Sequence, residues 1–294
     1  MPPAAPPSPA TTATPSTNAS RIWALVPSAG IGQRASAGAP GQTPHAAPQA
    51  KQYRRLLGQS LLAHTLQALL QVPAIERIAV VIAPGDTQFE QLSEHALPRV
   101  QAHAVGGASR AESVRNGLAV LQQAYGAQPQ DWVLVHDAAR CLLTPALVQR
   151  LLDACLGDAV GGLLALPLPD TLKQQAQAPA DMAQAGAARS AQTVPRSGKW
   201  LAQTPQLFRL QLLGQALARP DLDAITDEAS AIEALGQQPL LVPSSAHNIK
   251  ITYPEDFALA EALLRARQQE QAGPAAITAT TTIAAPAAPA AVQP

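Results

Sequence analysis

Apolar and polar positions follow one another along the chain in two kinds of block. Residues 22–27 form a short apolar run closed by Pro27, the pattern of a strand buried on both faces. Positions 61–70 repeat their leucines at helical spacing. Residues 77–83 are apolar and β-branched, which predicts a second strand. Residues 111–123 read as a helix, 132–136 as a strand and 145–155 as a helix, and 160–168 form another apolar run. A further helix is predicted over 226–235, with Thr226 as N-cap and Glu228 in the first turn. Residues 248–252 predict a short strand, and 254–267 a closing helix opened by Pro254. Strands alternating with helices predict an α/β fold with a largely parallel sheet. Ligands of such sheets bind beyond the carboxyl ends of the strands, so functional motifs are expected just after the strands.

Composition changes the picture at the two ends. Residues 1–20 and 271–294 hold no charged side chain and are crowded with Pro, Ala, Ser and Thr, so both are expected to be disordered tails. The charge lies within 21–270, the predicted domain. Two stretches inside it, 35–50 and 174–191, lack periodicity and carry breakers, which predicts loops. The 294 residues carry 20 basic and 20 acidic side chains. That balance argues against a nucleic-acid coat or a polybasic membrane binder. No apolar run approaches the roughly 20 residues of a membrane span, and no basic-then-apolar leader opens the chain. Cys141 and Cys155 make neither a disulfide framework nor a metal-binding pair, and read as small core residues. A reduced, cytoplasmic enzyme acting on small molecules is the expectation.

The first chemical motif is Pro27-Ser28-Ala29-Gly30-Ile31-Gly32-Gln33-Arg34, with Lys51-Gln52-Tyr53 downstream. It follows the first strand directly. Small residues let backbone N–H groups approach a phosphate chain. Arg34 and Lys51 could neutralise phosphate charge, one as a fork and the other as a point charge. The segment lacks the GK[ST] ending of a Walker loop and the third glycine of the dinucleotide fingerprint. A plain glycine turn with two surface cations is the alternative reading.

The order strand, A-G-x-G-x-R, downstream Lys resembles the nucleotidyltransferases that activate sugars and polyols. Further motifs follow in chain order: Gly106-Gly107-Ala108-Ser109-Arg110-Ala111-Glu112-Ser113, Val135-His136-Asp137-Ala138-Ala139-Arg140, Asp170-Thr171-Leu172-Lys173, Thr204-Pro205-Gln206, Thr226-Asp227-Glu228-Ala229, and Asn248-Ile249-Lys250-Ile251-Thr252 with Pro254-Glu255-Asp256. Together they resemble the 2-C-methyl-D-erythritol 4-phosphate cytidylyltransferase family of isoprenoid-precursor enzymes, from about Arg21 to Arg267. The resemblance implies a Rossmann-like, GT-A-like nucleotidyltransferase fold with a protruding β-arm over 166–201. It implies a homodimer in which that arm completes the neighbouring polyol site.

It also implies a reaction. A polyol phosphate oxygen attacks the α-phosphorus of CTP, and pyrophosphate leaves. Two anions must meet, so positioning and cationic stabilisation carry the catalysis. The resemblance assigns that work to Arg34, Lys51, Arg196 and Lys250. Ser28, Ala29, Gly30, Gly32, Gly106, Gly107 and Ser113 would hold the nucleotide, with the base at the Gly106 loop. Asp137, Asp170, Thr171, Arg196 and Lys250 would hold the polyol phosphate. Mg²⁺ would be carried mainly by the CTP phosphates, with Asp137 available to its shell. Asp137 could instead pair with Arg140 three residues on. Asp227 and Glu228 read either as a substrate-side carboxylate pair or as a helix start. His136 reads as a packed side chain. The alternatives to this activity are a cytidylyltransferase for another polyol phosphate, such as ribitol 5-phosphate, and a nucleotide-binding regulator without turnover. The chain departs from the family pattern in the long Arg34–Lys51 spacing, in Ser28 for Ala, in Ala108 and His247 for Asp, and in Cys141 for Pro.

Overall fold

The apolar runs become the inner strands of one twisted sheet because each has something to bury on both sides. In β1 (Ile22–Pro27), Ile22, Ala24 and Val26 enter one core cluster, while Trp23 and Leu25 enter a second on the opposite face. β6 (Trp132–Val135) divides in the same way, with Trp132 and Leu134 on one side and Val133 and Val135 on the other. Such strands read as continuous apolar runs rather than alternating ones. This computed structural model describes residues 20–30, 50–176 and 188–272. The expected loop over 35–50 lies outside those residues except for Ala50, as do the two tails except for Ser20, Gln271 and Ala272.

The remaining strands are β2 (Arg55–Leu56), β3 (Gln59–Ser60), β4 (Ile75–Val81), β5 (Val100–His103), β7 (Gly161–Pro167), β8 (Leu172–Gln175), β9 (Ser190–Val194), β10 (Trp200–Arg209) and β11 (Leu240–Pro243). Five of these join β1 and β6 in a seven-stranded main sheet of order β11-β7-β10-β6-β1-β4-β5. β10 runs antiparallel to both neighbours, and the other pairings are parallel. The chain works outward from β1 to β4 and β5, then returns to place β6 on the other side of β1. That reversal opens a crevice at the carboxyl ends of β1 and β6.

The helices are α1 (Leu61–Leu70), α2 (Arg110–Tyr125), α3 (Pro145–Cys155), α4 (Leu210–Leu217), α5 (Glu228–Glu233) and α6 (Pro254–Ala272). α1 and α3 cover one face of the sheet, and α2, α4 and α5 the other. Ser60, Ser109 and Thr144 cap α1, α2 and α3, each accepting a backbone N–H two or three residues into its helix. Among the described residues no helix is long and apolar enough to cross a membrane.

Four sequence expectations need correction. The N-cap of α5 is Asp227, not Thr226. Its carboxylate accepts from Ser230 N–H in a capping box, so the cap sits one residue later than the composition suggested. Residues 248–252 are not a strand. Asn248 spends its N–H on Ser245 in a turn and its side-chain amide on Gln203 and Thr204, and Ile251 makes an isolated bond to the Ala139 carbonyl. The 174–191 stretch is not all loop. Its ends continue β8 and β9, which pair as an exposed two-stranded ribbon, while 177–187 lie outside the described residues. Asp137 forms its ion pairs with Arg110 and Lys250, while Arg140 donates to the backbone carbonyls of Asn248 (2.7 Å) and Ala202 (3.4 Å).

Candidate active site

Beyond the ends of β1 and β6 lies a cavity of about 400 Å³, lined by segments from five parts of the chain. Ser28, Ala29 and Gly30 leave β1 along one wall. Ser28 is held by its N–H to the Val81 carbonyl (2.7 Å) and by its own carbonyl to Gln52 Nε2 (2.6 Å). The Ser28 hydroxyl is buried, lines the cavity and has no hydrogen-bond partner among the described residues.

The Gly106–Ser109 loop makes the facing wall. A Cβ at Gly106 would meet the Ala29 Cβ at 2.3 Å and the Ile82 carbonyl oxygen at 2.9 Å, so glycine is required for the two walls to approach. Ser113 is drawn into this loop. Its hydroxyl accepts from Gly107 N–H (3.0 Å) and donates to the Ser109 carbonyl (2.9 Å). Gly107 and Ser113 line the cavity, and Gly106 sits behind them.

Two lysines reach the same space. Lys51 stands in a short 3-10 turn (Lys51–Tyr53) and donates from Nζ to the Ile251 carbonyl 200 positions away, at 2.6 Å. Lys250 projects from the adjoining residue, and its Nζ meets Asp137 Oδ2 at 2.7 Å. Asp137 is presented by the segment that leaves β6. Burial alone would raise its pKa, but Arg110 and Lys250 outweigh burial and hold the carboxyl well below the usual carboxylate range.

Asp137 is also tied to Arg110, whose Nε reaches Oδ1 at 2.9 Å. Arg110 turns its two terminal nitrogens onto Glu228, with Nη1 to Oε1 at 2.6 Å and Nη2 to Oε2 at 3.0 Å. Glu228 is 1% exposed. Burial pushes its carboxyl up despite the arginine. The order Lys250, Asp137, Arg110, Glu228 therefore alternates in charge from the cavity into the protein.

Arg110 was not singled out as a site residue from the sequence. A signal was present: it is the first residue of α2, where a cation faces the positive end of the helix dipole and is disfavoured. A cation placed there needs a carboxylate partner, and here it has two. The pairing with Glu228, 118 positions away, left no local trace.

Gly32 and Arg34 lie outside the described residues. Asp170, Thr171 and Arg196 do not line the cavity. They are exposed near the β8–β9 ribbon, where Arg196 donates to the Pro169 carbonyl. Cys141 and Cys155 are buried free thiols that burial pushes up to about 12, and neither is a nucleophile in this setting. The cavity as a whole presents ammonium groups and small-residue backbone from two facing loops, an arrangement suited to an extended anion.

Residues 22–266 match the protein family described as 2-C-methyl-D-erythritol 4-phosphate cytidylyltransferase. A protein of that name from Chromobacterium violaceum is 52% identical over 246 residues, spanning 84% of this chain and 99% of the relative. One from Laribacter hongkongensis is 50% identical over 83% of this chain and 96% of the relative. Among solved structures, a 4-diphosphocytidyl-2C-methyl-D-erythritol synthase superposes with a TM-score of 0.68 at 38% identity, covering 83% of this chain and 99% of its own. The 2-C-methyl-D-erythritol 4-phosphate cytidylyltransferase of Francisella tularensis superposes with a TM-score of 0.65 at 30% identity, covering 83% and 99%.

Proposed function

The chain belongs to the 2-C-methyl-D-erythritol 4-phosphate cytidylyltransferase family, and from that premise we propose how its residues divide the work. The enzyme transfers CMP from CTP to 2-C-methyl-D-erythritol 4-phosphate in isoprenoid precursor synthesis. An oxygen of the acceptor phosphate forms a bond to the α-phosphorus of CTP. The bond from that phosphorus to the bridging oxygen breaks, and pyrophosphate carries the electron pair away. The nucleophile is already an anion, so no general base is needed.

In our reading the nucleotide lies between Ser28–Gly30 on one side and the Gly106–Ser109 loop with Ser113 on the other, and Gly32 and Arg34 are assigned to it through the family resemblance alone. Lys51 and Lys250 flank the α-phosphorus. Their ammonium charges offset the repulsion between the phosphates and the charge gathered in the transition state. Asp137 keeps Lys250 in place and faces the polyol. The observation that carries this reading is that Lys51, Asp137 and Lys250, drawn from three distant segments, line one cavity.

Mg²⁺ enters this reading as part of the CTP substrate. Among the described residues no cluster of three or more His, Cys, Asp or Glu side chains is placed to hold a metal. Both oxygens of Asp137 are engaged by Arg110 and Lys250. That donor set fits a cation held by triphosphate oxygens and water better than a protein cage. So carried, the ion would neutralise charge on the departing pyrophosphate.

The reading extends to assembly. Residues 21–270 form the cytidylyltransferase domain, and two copies pair through their ribbons. Arg196, with Asp170 and Thr171, then serves the polyol phosphate in the neighbouring copy. Exposure of all three on the ribbon side, away from their own cavity, supports this. A cytoplasmic setting suits CTP as substrate and two unpaired buried thiols. The direct test is pyrophosphate release from CTP, Mg²⁺ and 2-C-methyl-D-erythritol 4-phosphate by wild type and Lys51→Ala. The variant is expected to lose about 10²- to 10³-fold in kcat while its melting temperature holds. Unchanged kcat would remove Lys51 from the chemistry.

A further inference from the structure

We infer that Glu228 is a positioning residue for Lys250, acting through Arg110 and Asp137 without touching substrate. This rests on Lys250 flanking the α-phosphorus, as proposed above. Glu228 is 1% exposed and is not among the residues lining the cavity, so direct contact with either substrate is closed to it. Its reach is through the ladder of opposite charges: both Glu228 oxygens on the Arg110 terminal nitrogens, Arg110 Nε on Asp137 Oδ1, and Asp137 Oδ2 on Lys250 Nζ.

The geometry divides Asp137 evenly between two cations, one per oxygen. That division depends on Glu228. An arginine presents its N–H groups as a planar fork, and a carboxylate takes two of them together. While Glu228 accepts from both terminal nitrogens, the guanidinium is held with its Nε toward Asp137 Oδ1. With Glu228 neutral, Arg110 is free to turn its fork onto Asp137 and take both oxygens. Lys250 would then lose its anchor and find a second positive charge beside it. Its ammonium would leave the position that meets the α-phosphate. The local scaffold supports Glu228 as a fixed point: Asp227 caps α5, and Gln206 braces the turn by donating to Asp227 Oδ2 (2.8 Å) and accepting from Ala229 N–H (2.7 Å). Burial of Glu228 opposes its charge, and the arginine fork opposes burial.

A double-mutant cycle on the full chain tests the inference, with Glu228→Gln, Lys250→Ala and the double variant. Glu228→Gln keeps the shape and removes the charge. It is expected to lower kcat at least about 10-fold, with the KM for CTP within about 3-fold of wild type. In the Lys250→Ala background the same change is expected to lower kcat less than about 2-fold, because the group it positions is gone. A residue needed only for folding would cost the same factor in both backgrounds, and that result would overturn the inference, as would an unchanged kcat with Lys250 present. If Glu228→Gln does not fold, Glu228→Asp carries the same cycle, since its carboxylate falls one methylene short of the fork. Should Lys250→Ala itself leave kcat unchanged, the assignment of Lys250 fails and takes this inference with it.

Discussion

His136 is packed out of reach of solvent, and its hydrogen bonds fix the segment on which Asp137 sits. The imidazole is fully buried, and its Nε2 lies 3.2 Å from the Arg140 carbonyl, which can only accept. The proton is therefore on Nε2, and Nδ1 accepts from the Thr204 hydroxyl at 3.1 Å. That hydroxyl in turn accepts the Asp137 N–H at 3.0 Å, so one neutral tautomer ties the segment after β6 to β10. Burial lowers the imidazole pKa from 6.5 to about 4. Between those values the unfolded chain binds a proton that the folded chain refuses. Stability from this group is thus complete above pH 6.5 and is lost as pH falls toward 4. The full loss is about 3 kcal/mol for the shift from 6.5 to about 4. Urea unfolding of wild type and His136→Gln between pH 4 and 7 should show the difference in stability shrinking by that order on acidification. Parallel curves would mean that the folded chain accepts the proton after all.

At the scale of elements, α2 brings its start to the cavity because it lies close on the sheet. Gly117 makes that approach possible. A Cβ there would stand 2.5 Å from Leu25 Cδ1 and 2.9 Å from Val81 Cγ2, and both side chains are fully buried. Alanine would gain about 1 kcal/mol in helix propensity, but overpacking a closed core costs about 1–3 kcal/mol. The second effect should win, because Leu25 and Val81 have no solvent side to move into. Gly117→Ala is expected to lose about 1 kcal/mol in urea unfolding, and Gly117→Val more. A more stable alanine variant would show that the sheet yields. Elements like β1, β6 and α3 were legible in the sequence because their burial follows simple periods. β10 was not: Trp200–Arg209 carries Gln203, Thr204, Pro205 and Gln206 in its middle, and the side chains of Gln203, Thr204 and Gln206 find partners far along the chain. The candidate site divides along the same line. Residues in contiguous motifs, such as Lys250 and Asp137, could be nominated through the family resemblance that those motifs carry. The Arg110–Glu228 pair could not, because two segments 118 positions apart supply it.

At the scale of the whole molecule, the main sheet and the ribbon have different tasks. The sheet gathers the loops after β1 and before α2 and both lysines at one crevice, while the β8–β9 ribbon is exposed except at Leu172 and Val194, which are half-buried, and leads into the segment that carries Arg196. A two-stranded ribbon is marginal by itself in water and gains from packing against another surface. A symmetric pair of chains would supply that surface and deliver each Arg196 to the opposite cavity. This arrangement has a numerical consequence. Arg196→Ala keeps a good lysine site but offers its partner no arginine. Lys250→Ala has the reverse defect. Each variant alone should be nearly inactive. Unfolded together in equal amounts and refolded, about half of the dimers are mixed, and each mixed dimer has one intact site of two, so about a quarter of wild-type activity should return. If Arg196 instead serves the cavity of its own chain, mixing repairs nothing, because every site then keeps its own lesion, and the activity of the mixture stays at the mean of the two variants.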